Sequence, residues 1–195
     1  MIACQTRSYD FCEVMFREAW YSARRPFPLL PARCSHQCSR STSWIYLAGG
    51  AGFEAAFLKP SGWFYREETQ PGTLAVFITK KDISKVGEFQ TGMSLNVFQL
   101  RKDRAVDRGQ DLVGNIAKAK HAEMWTQKFG PFVEFGCQVT DADAAGTIVM
   151  HVLTVANPKT NTLYYFTFES PESSWEDAWK TGKQIMDMLA LDDEV

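Results

Sequence analysis

No hydrophobic stretch of this chain stays apolar for the roughly 18 residues that a bilayer-spanning helix needs, because charged or turn-forming residues interrupt each one. A membrane-spanning protein is therefore not expected. Positive charge is not in excess either: the formal net charge is -2 over 195 residues. Nucleic-acid binders usually leave a basic footprint, so no nucleic-acid partner is expected. Also missing are a glycine-rich phosphate loop, a nucleophile elbow and kinase-type signatures, which removes the motif-based case for nucleotide and acyl-transfer chemistry.

Two further absences divide the chain near residue 52. Every basic residue before it is arginine (Arg7, Arg17, Arg24, Arg25, Arg33, Arg40), and no Asp or Glu occurs between Ala19 and Phe53. The remainder carries 11 lysines and 4 arginines. The first part thus holds about +3 and the second about -5, which together give the -2 of the whole chain. Residues 1–52 read as an Arg-, Ser- and Cys-rich leader, and 53–195 as the folded domain. Three readings of the leader stay open: a disposable or misassigned start, a transit-like segment, or a genuine appendage. Arginine and serine enrichment suits a transit peptide, whereas Asp10, Glu13 and Glu18 do not. A secretory signal needs a continuous apolar stretch, and Pro26, Pro28 and Pro31 break the best candidate.

The leader contains the most chemical-looking words in the chain. Cys34, His36 and Cys38 fall within ARCSHQCSRS. Structural zinc needs four ligands, commonly in paired knuckles, and no second knuckle of that kind follows. No metal is assigned there.

From Phe53 the punctuation becomes regular. Strands are expected at Phe53–Leu58, Gly62–Glu67, Thr73–Thr79 and Met93–Leu100, the last with Met93, Leu95 and Val97 alternating onto one face. A helix is expected over Gln110–Lys128, stopped by Gly130-Pro131. Strands then fit Phe132–Thr140, Thr147–Ala156 and Thr162–Glu169, joined by the hairpin-length loops DADAAG and NPKTN. Ser170-Pro171 offers an N-cap and a first-turn proline for a closing helix on which Trp175, Ala178, Trp179, Gly182, Ile185, Met186 and Leu189 recur at helical spacing. The order ββββαβββα with short connections implies an α+β fold, an antiparallel sheet flanked by helices as an α/β/α sandwich.

Four pieces of this pattern carry a likeness: GFEAAFLKPSGW, SLNVFQL, NTLYYFTFESPESSW and the final helix. In them the chain resembles the PsbP and PsbP-like family of extrinsic oxygen-evolving-complex proteins, over about residues 50 to 190. Phe57 to Trp63 matches that family's opening phrase, and Tyr164 to Trp175 its aromatic strand leading to Pro-Glu-x-x-Trp. The resemblance implies a non-enzymatic binding or assembly protein that meets a protein partner or membrane-complex surface, photosystem II in plant and cyanobacterial members. It also implies a thylakoid-lumen or periplasm-type compartment, the expectation without it being a soluble cytoplasmic one, and calcium or another divalent ion as the one cofactor to consider. The yeast Mog protein that binds Ran shares the architecture, so a GTPase-binding regulator is an alternative. A small ligand carrier or enzyme with a sheet/helix pocket is another.

Within the domain, Cys137 and His151 lie on adjacent strands, where a hairpin register could bring them together. A nucleophilic pair would need an orienting third group and an oxyanion site, which the sequence does not supply. The simpler reading is a buried cysteine and a sheet histidine facing solvent or a hydrogen-bond partner. His121 reads as a surface residue on a helix. Asp141-Ala-Asp143 opens like a calcium loop but lacks its later ligands and reads most simply as a hairpin turn; Asp141, Asp143 and His151 are ligand-binding candidates only through the divalent ion that the PsbP resemblance implies. No catalytic residue is assigned. Glu67-Glu68 is not an acid/base dyad, because neighbours on a strand face opposite ways.

Overall fold

The computed structural model describes residues 43–49, 53–70, 73–86, 90–101, 103–143 and 146–191. The ARCSHQCSRS segment lies outside them. The described residues form ten strands and three helices, beginning with β1 (Ser43–Gly49), β2 (Phe53–Lys59), β3 (Phe64–Gln70), β4 (Thr73–Thr79), α1 (Ile83–Val86), β5 (Gly92–Gln99) and α2 (Ala105–Ala119). After them come β6 (Met124–Phe129), β7 (Phe132–Asp143), β8 (Gly146–Asn157), β9 (Thr162–Pro171), a 3₁₀ turn at Glu172–Ser174, α3 (Trp175–Asp187) and β10 (Ala190–Leu191).

Seven strands form one antiparallel sheet in the order β3-β4-β5-β9-β8-β7-β6, and β1-β2-β10 form a second. Period-two alternation then assigns each face. On β9, Tyr164, Phe166 and Phe168 join the core that Ala178 and Ile185 of α3 complete. On the other face, Phe135, Cys137 and Val139 of β7 with Met150 and Val152 of β8 pack on Val113 and Ala117 of α2. One helix therefore lies on each face of the large sheet, and Ala55 and Phe57 bring the small sheet into the α3 side. This is the α+β sandwich expected from the sequence, and Met93, Leu95 and Val97 are all buried on the anticipated face.

Several boundaries differ from those expected. β1 pairs residue for residue with β2 from Ser43↔Lys59 to Gly49↔Phe53, so a boundary at Phe53 cuts a hairpin. Charge usage marks a change of composition; it carries no information about pairing in the uncharged SWIYLAG run. The middle helix starts five residues earlier than Gln110 and stops at Ala119, nine short of Lys128. It ends because the N–H groups of Ala122 and His121 donate back to Ala117 and Lys118 carbonyls at 2.8 and 3.4 Å, with His121 left-handed at φ 53. That is a Schellman stop, and His121 sits just past the helix, exposed. The expected second half of the helix is instead β6, which pairs with β7 through the Gly130-Pro131 connection, Gly130 taking φ 53. Finally, β9 runs through Ser170 and Pro171, paired with Val149 and Ile148. The cap position of α3 falls to Ser174.

Candidate functional site

The α3 face of the sheet gathers an aromatic ribbon. Trp125 of β6, His151 of β8 and Trp179 of α3 meet in sequence as tilted rings, with centroids 5.2 Å apart at 35° for the first pair and 4.4 Å at 36° for the second. Trp175 and Trp179, one helical turn apart, lie nearly parallel at 5.3 Å. Phe168 touches both tryptophans, at 6.0 and 5.6 Å, and Trp63 at 6.5 Å. Trp125 reaches into this ribbon because Gly136 opposes it across the β6–β7 ladder and leaves room for the indole. His151 is desolvated between the rings, and burial lowers its pKa to about 4. It is therefore a neutral imidazole at physiological pH.

Beside the ribbon a cleft of about 550 Å³ opens between the sheet and the end of α3. Phe129, Phe132, Leu153 and Val155 line the sheet side, and Met186 and Leu189 the helix side. Its polar members include Gln127 and Glu134. Burial raises the Glu134 carboxyl, opposed by the Trp125 indole N–H that donates to it at 3.4 Å.

The sequence candidates do not converge. Asp141 lies on the α2 side of β7, where Lys120 Nζ donates to it at 2.6 Å. His151 is on the α3 side of β8, so the sheet separates the two. Asp143 is near the far end of β7, paired with Gly146. Cys137 pairs with Val152, one residue out of register with His151, and lies in the α2 core. An odd offset in an antiparallel ladder puts the two side chains on opposite faces. They form no Cys–His pair. Cys137 is buried, as read from the sequence, and burial pushes its thiol up to about 11. His151 departs from its reading in lying half-buried between two indoles. Among the described residues no three His, Cys, Asp or Glu side chains gather as a metal-binding set. No described helix is long and apolar enough to cross a membrane.

Trp125, and Phe129 just beyond it, carry no site signal in the sequence because residues 124–128 read as the tail of a helix, and Glu134 reads as an ordinary member of the strand that follows. The available signal was the apolar Met-Trp…Phe spacing leading into Gly-Pro and an aromatic partner, which also fits a hairpin arm.

No family model matches the chain, and no curated protein matches it. Solved structures do. LpqN, involved in cell envelope biogenesis of Mycobacterium tuberculosis, is 8% identical with a TM-score of 0.51, over 77% of this chain and 91% of that one. That likeness shows a shared fold. The cyanobacterial PsbP (CyanoP) of Synechocystis is 15% identical with a TM-score of 0.49, over 83% of this chain and 99% of that one. The Ran-binding protein Mog1p of Saccharomyces cerevisiae is 15% identical with a TM-score of 0.45, over 78% and 96%.

Proposed function

We propose that this chain is a non-enzymatic binding module that engages another protein through the β6 end of its large sheet. The observation that carries the reading is β6 itself. It is the terminal strand of the sheet, all six of its residues are exposed, and it presents Met124, Trp125 and Phe129 to solvent. Exposed apolar groups clustered at an open sheet edge mark interaction surfaces. The separation of Cys137 from His151 by the sheet favours this reading over nucleophilic chemistry at those two residues.

The partner is a finer matter than the fold. PsbP-type assembly on photosystem II and Mog-type binding of a GTPase are both compatible with a scaffold of this kind, and the fold does not choose between them. Co-purification from the native source decides. The unmodified protein is expected to retain a protein partner at constant stoichiometry, and Trp125→Ser/Phe129→Ser to lose it. Recovery of free monomer alone from the native source would count against the reading.

A second reading, a small-ligand carrier, has the 550 Å³ cleft in its favour, a volume within the range of small-molecule sites. A ligand extracted with the native protein and absent from a Leu153→Trp variant would support it.

A further inference from the structure

The two edges of the large sheet are built differently, and the difference points to a mode of recognition. On β3, Arg66 pairs with Glu68 at 2.7 Å and the Tyr65 hydroxyl donates to Glu67 at 2.7 Å. Charges along an edge discourage the addition of another strand. The opposite edge has no such protection: β6 reads MWTQKF, carries Lys128 as its one charge, and is covered by no other strand among the described residues. Its side chains alternate. Trp125, Gln127 and Phe129 point to the α3 face, where Gln127 and Phe129 line the cleft. Met124, Thr126 and Lys128 point to the α2 face, where the Met124 sulfur approaches Gly114 of α2.

We propose that an extended segment of a partner protein adds to β6 as an eighth strand, seats an apolar side chain in the cleft, and sets an acidic side chain against Lys128 on the other face. This rests on the protein-binding reading above and specifies its mode. Main-chain hydrogen bonds to the open edge give such a segment affinity, and the alternate side chains give it selectivity. Charge picks the acidic residue: Lys128 is exposed and takes part in no described ion pair. A second copy of the chain fits less well. Pairing β6 with itself would engage six residues a side, against the roughly 20–30 a side of a stable interface. It would also put two lysines on one face without an acid between them.

The test uses the full chain and fluorescein-labelled ten-residue peptides of alternating leucine and threonine, one threonine replaced by aspartate. One control peptide carries lysine in place of the aspartate, and another has a central proline. Binding is read by fluorescence anisotropy, and hydrogen exchange is followed across residues 124–129. The aspartate peptide is expected to bind and to slow exchange in β6. The lysine peptide is expected to bind about three- to fivefold more weakly, the scale of one exposed ion pair, and the proline peptide not measurably. Lys128→Glu, at an exposed position, is expected to invert the preference between the two charged peptides. Binding of the proline peptide as tightly as the others, binding without protection of β6, or no binding by any peptide would each overturn strand addition. If native co-purification nonetheless yields a partner sensitive to Trp125 and Phe129, protein binding stands and only its mode fails.

Discussion

Single residues on the α3 face set measurable properties. His151 has an ordinary pKa of 6.5 when unfolded and about 4 when folded. Between those values the unfolded chain binds the proton and the folded chain does not, so stability falls as pH drops through that window. At about 1.4 kcal/mol per pKa step, the loss from this residue is at most about 3.5 kcal/mol. Denaturant melts of the wild type and His151→Gln at pH 7 and pH 4.5 are expected to show a shallower pH dependence in the variant; equal slopes would contradict the desolvated imidazole. Gly182 makes a different demand. A Cβ there would meet ring carbons of Phe168 at 2.8 Å, and Phe168 is fully buried. Alanine gains about 1 kcal/mol in helix propensity, but overpacking costs about 1–3 kcal/mol. Gly182→Ala is therefore expected to lower the urea midpoint at an unchanged slope, whereas an unchanged midpoint would mean that Phe168 moves freely. The glycine was visible in the sequence as a member of the helix face. Its tight approach to an aromatic ring on another element was not.

At the scale of elements, α2 shows how a helix can start without a local signal. Its cap residue, Arg104, makes no side-chain capping bond. Asn161, in the turn between β8 and β9, supplies one: its Oδ1 accepts from the Arg104 and Ala105 N–H groups at 2.9 and 3.0 Å, and its Nδ2 donates to the Leu100 carbonyl at 2.8 Å. Asn161 is itself left-handed at φ 57, a conformation that asparagine tolerates. Asn161→Ala loses the cap and strains the turn, with an expected cost of about 2–3 kcal/mol. Asn161→Gly keeps the turn and loses only the cap, so chemical denaturation should rank it between alanine and wild type. A glycine variant no better than alanine would show that backbone strain contributes little. The cap lies 56 residues from Ala105, which is why periodicity placed the helix start at Gln110. The helix end was missed for a complementary reason, since a left-handed histidine is an uncommon stop.

Across the whole molecule, burial grades from the middle of the large sheet to its ends. β9 lies between β5 and β8 with a helix on each face, and Phe166, Phe168 and Leu163 are fully buried. Among the described residues β6 has one partner strand, and none of its own residues is buried. Native-state hydrogen exchange should therefore be slowest in β8 and β9, close to the global unfolding limit, and fast in β6; uniform protection from centre to edge would argue that β6 is covered. The sequence by itself determined the alternating strands, their antiparallel connections and the aromatic face of the last helix, because period and turn chemistry act over a few residues. It also determined that Cys137 is buried, through its place in an apolar strand. Tertiary structure alone decided which strand ends up at the edge, that His151 lies between the Trp125 and Trp179 rings, and that Cys137 and Asp141 lie across the sheet from it. Those outcomes depend on register and on which face each strand turns to the helices, and a shift of one residue would reverse them all.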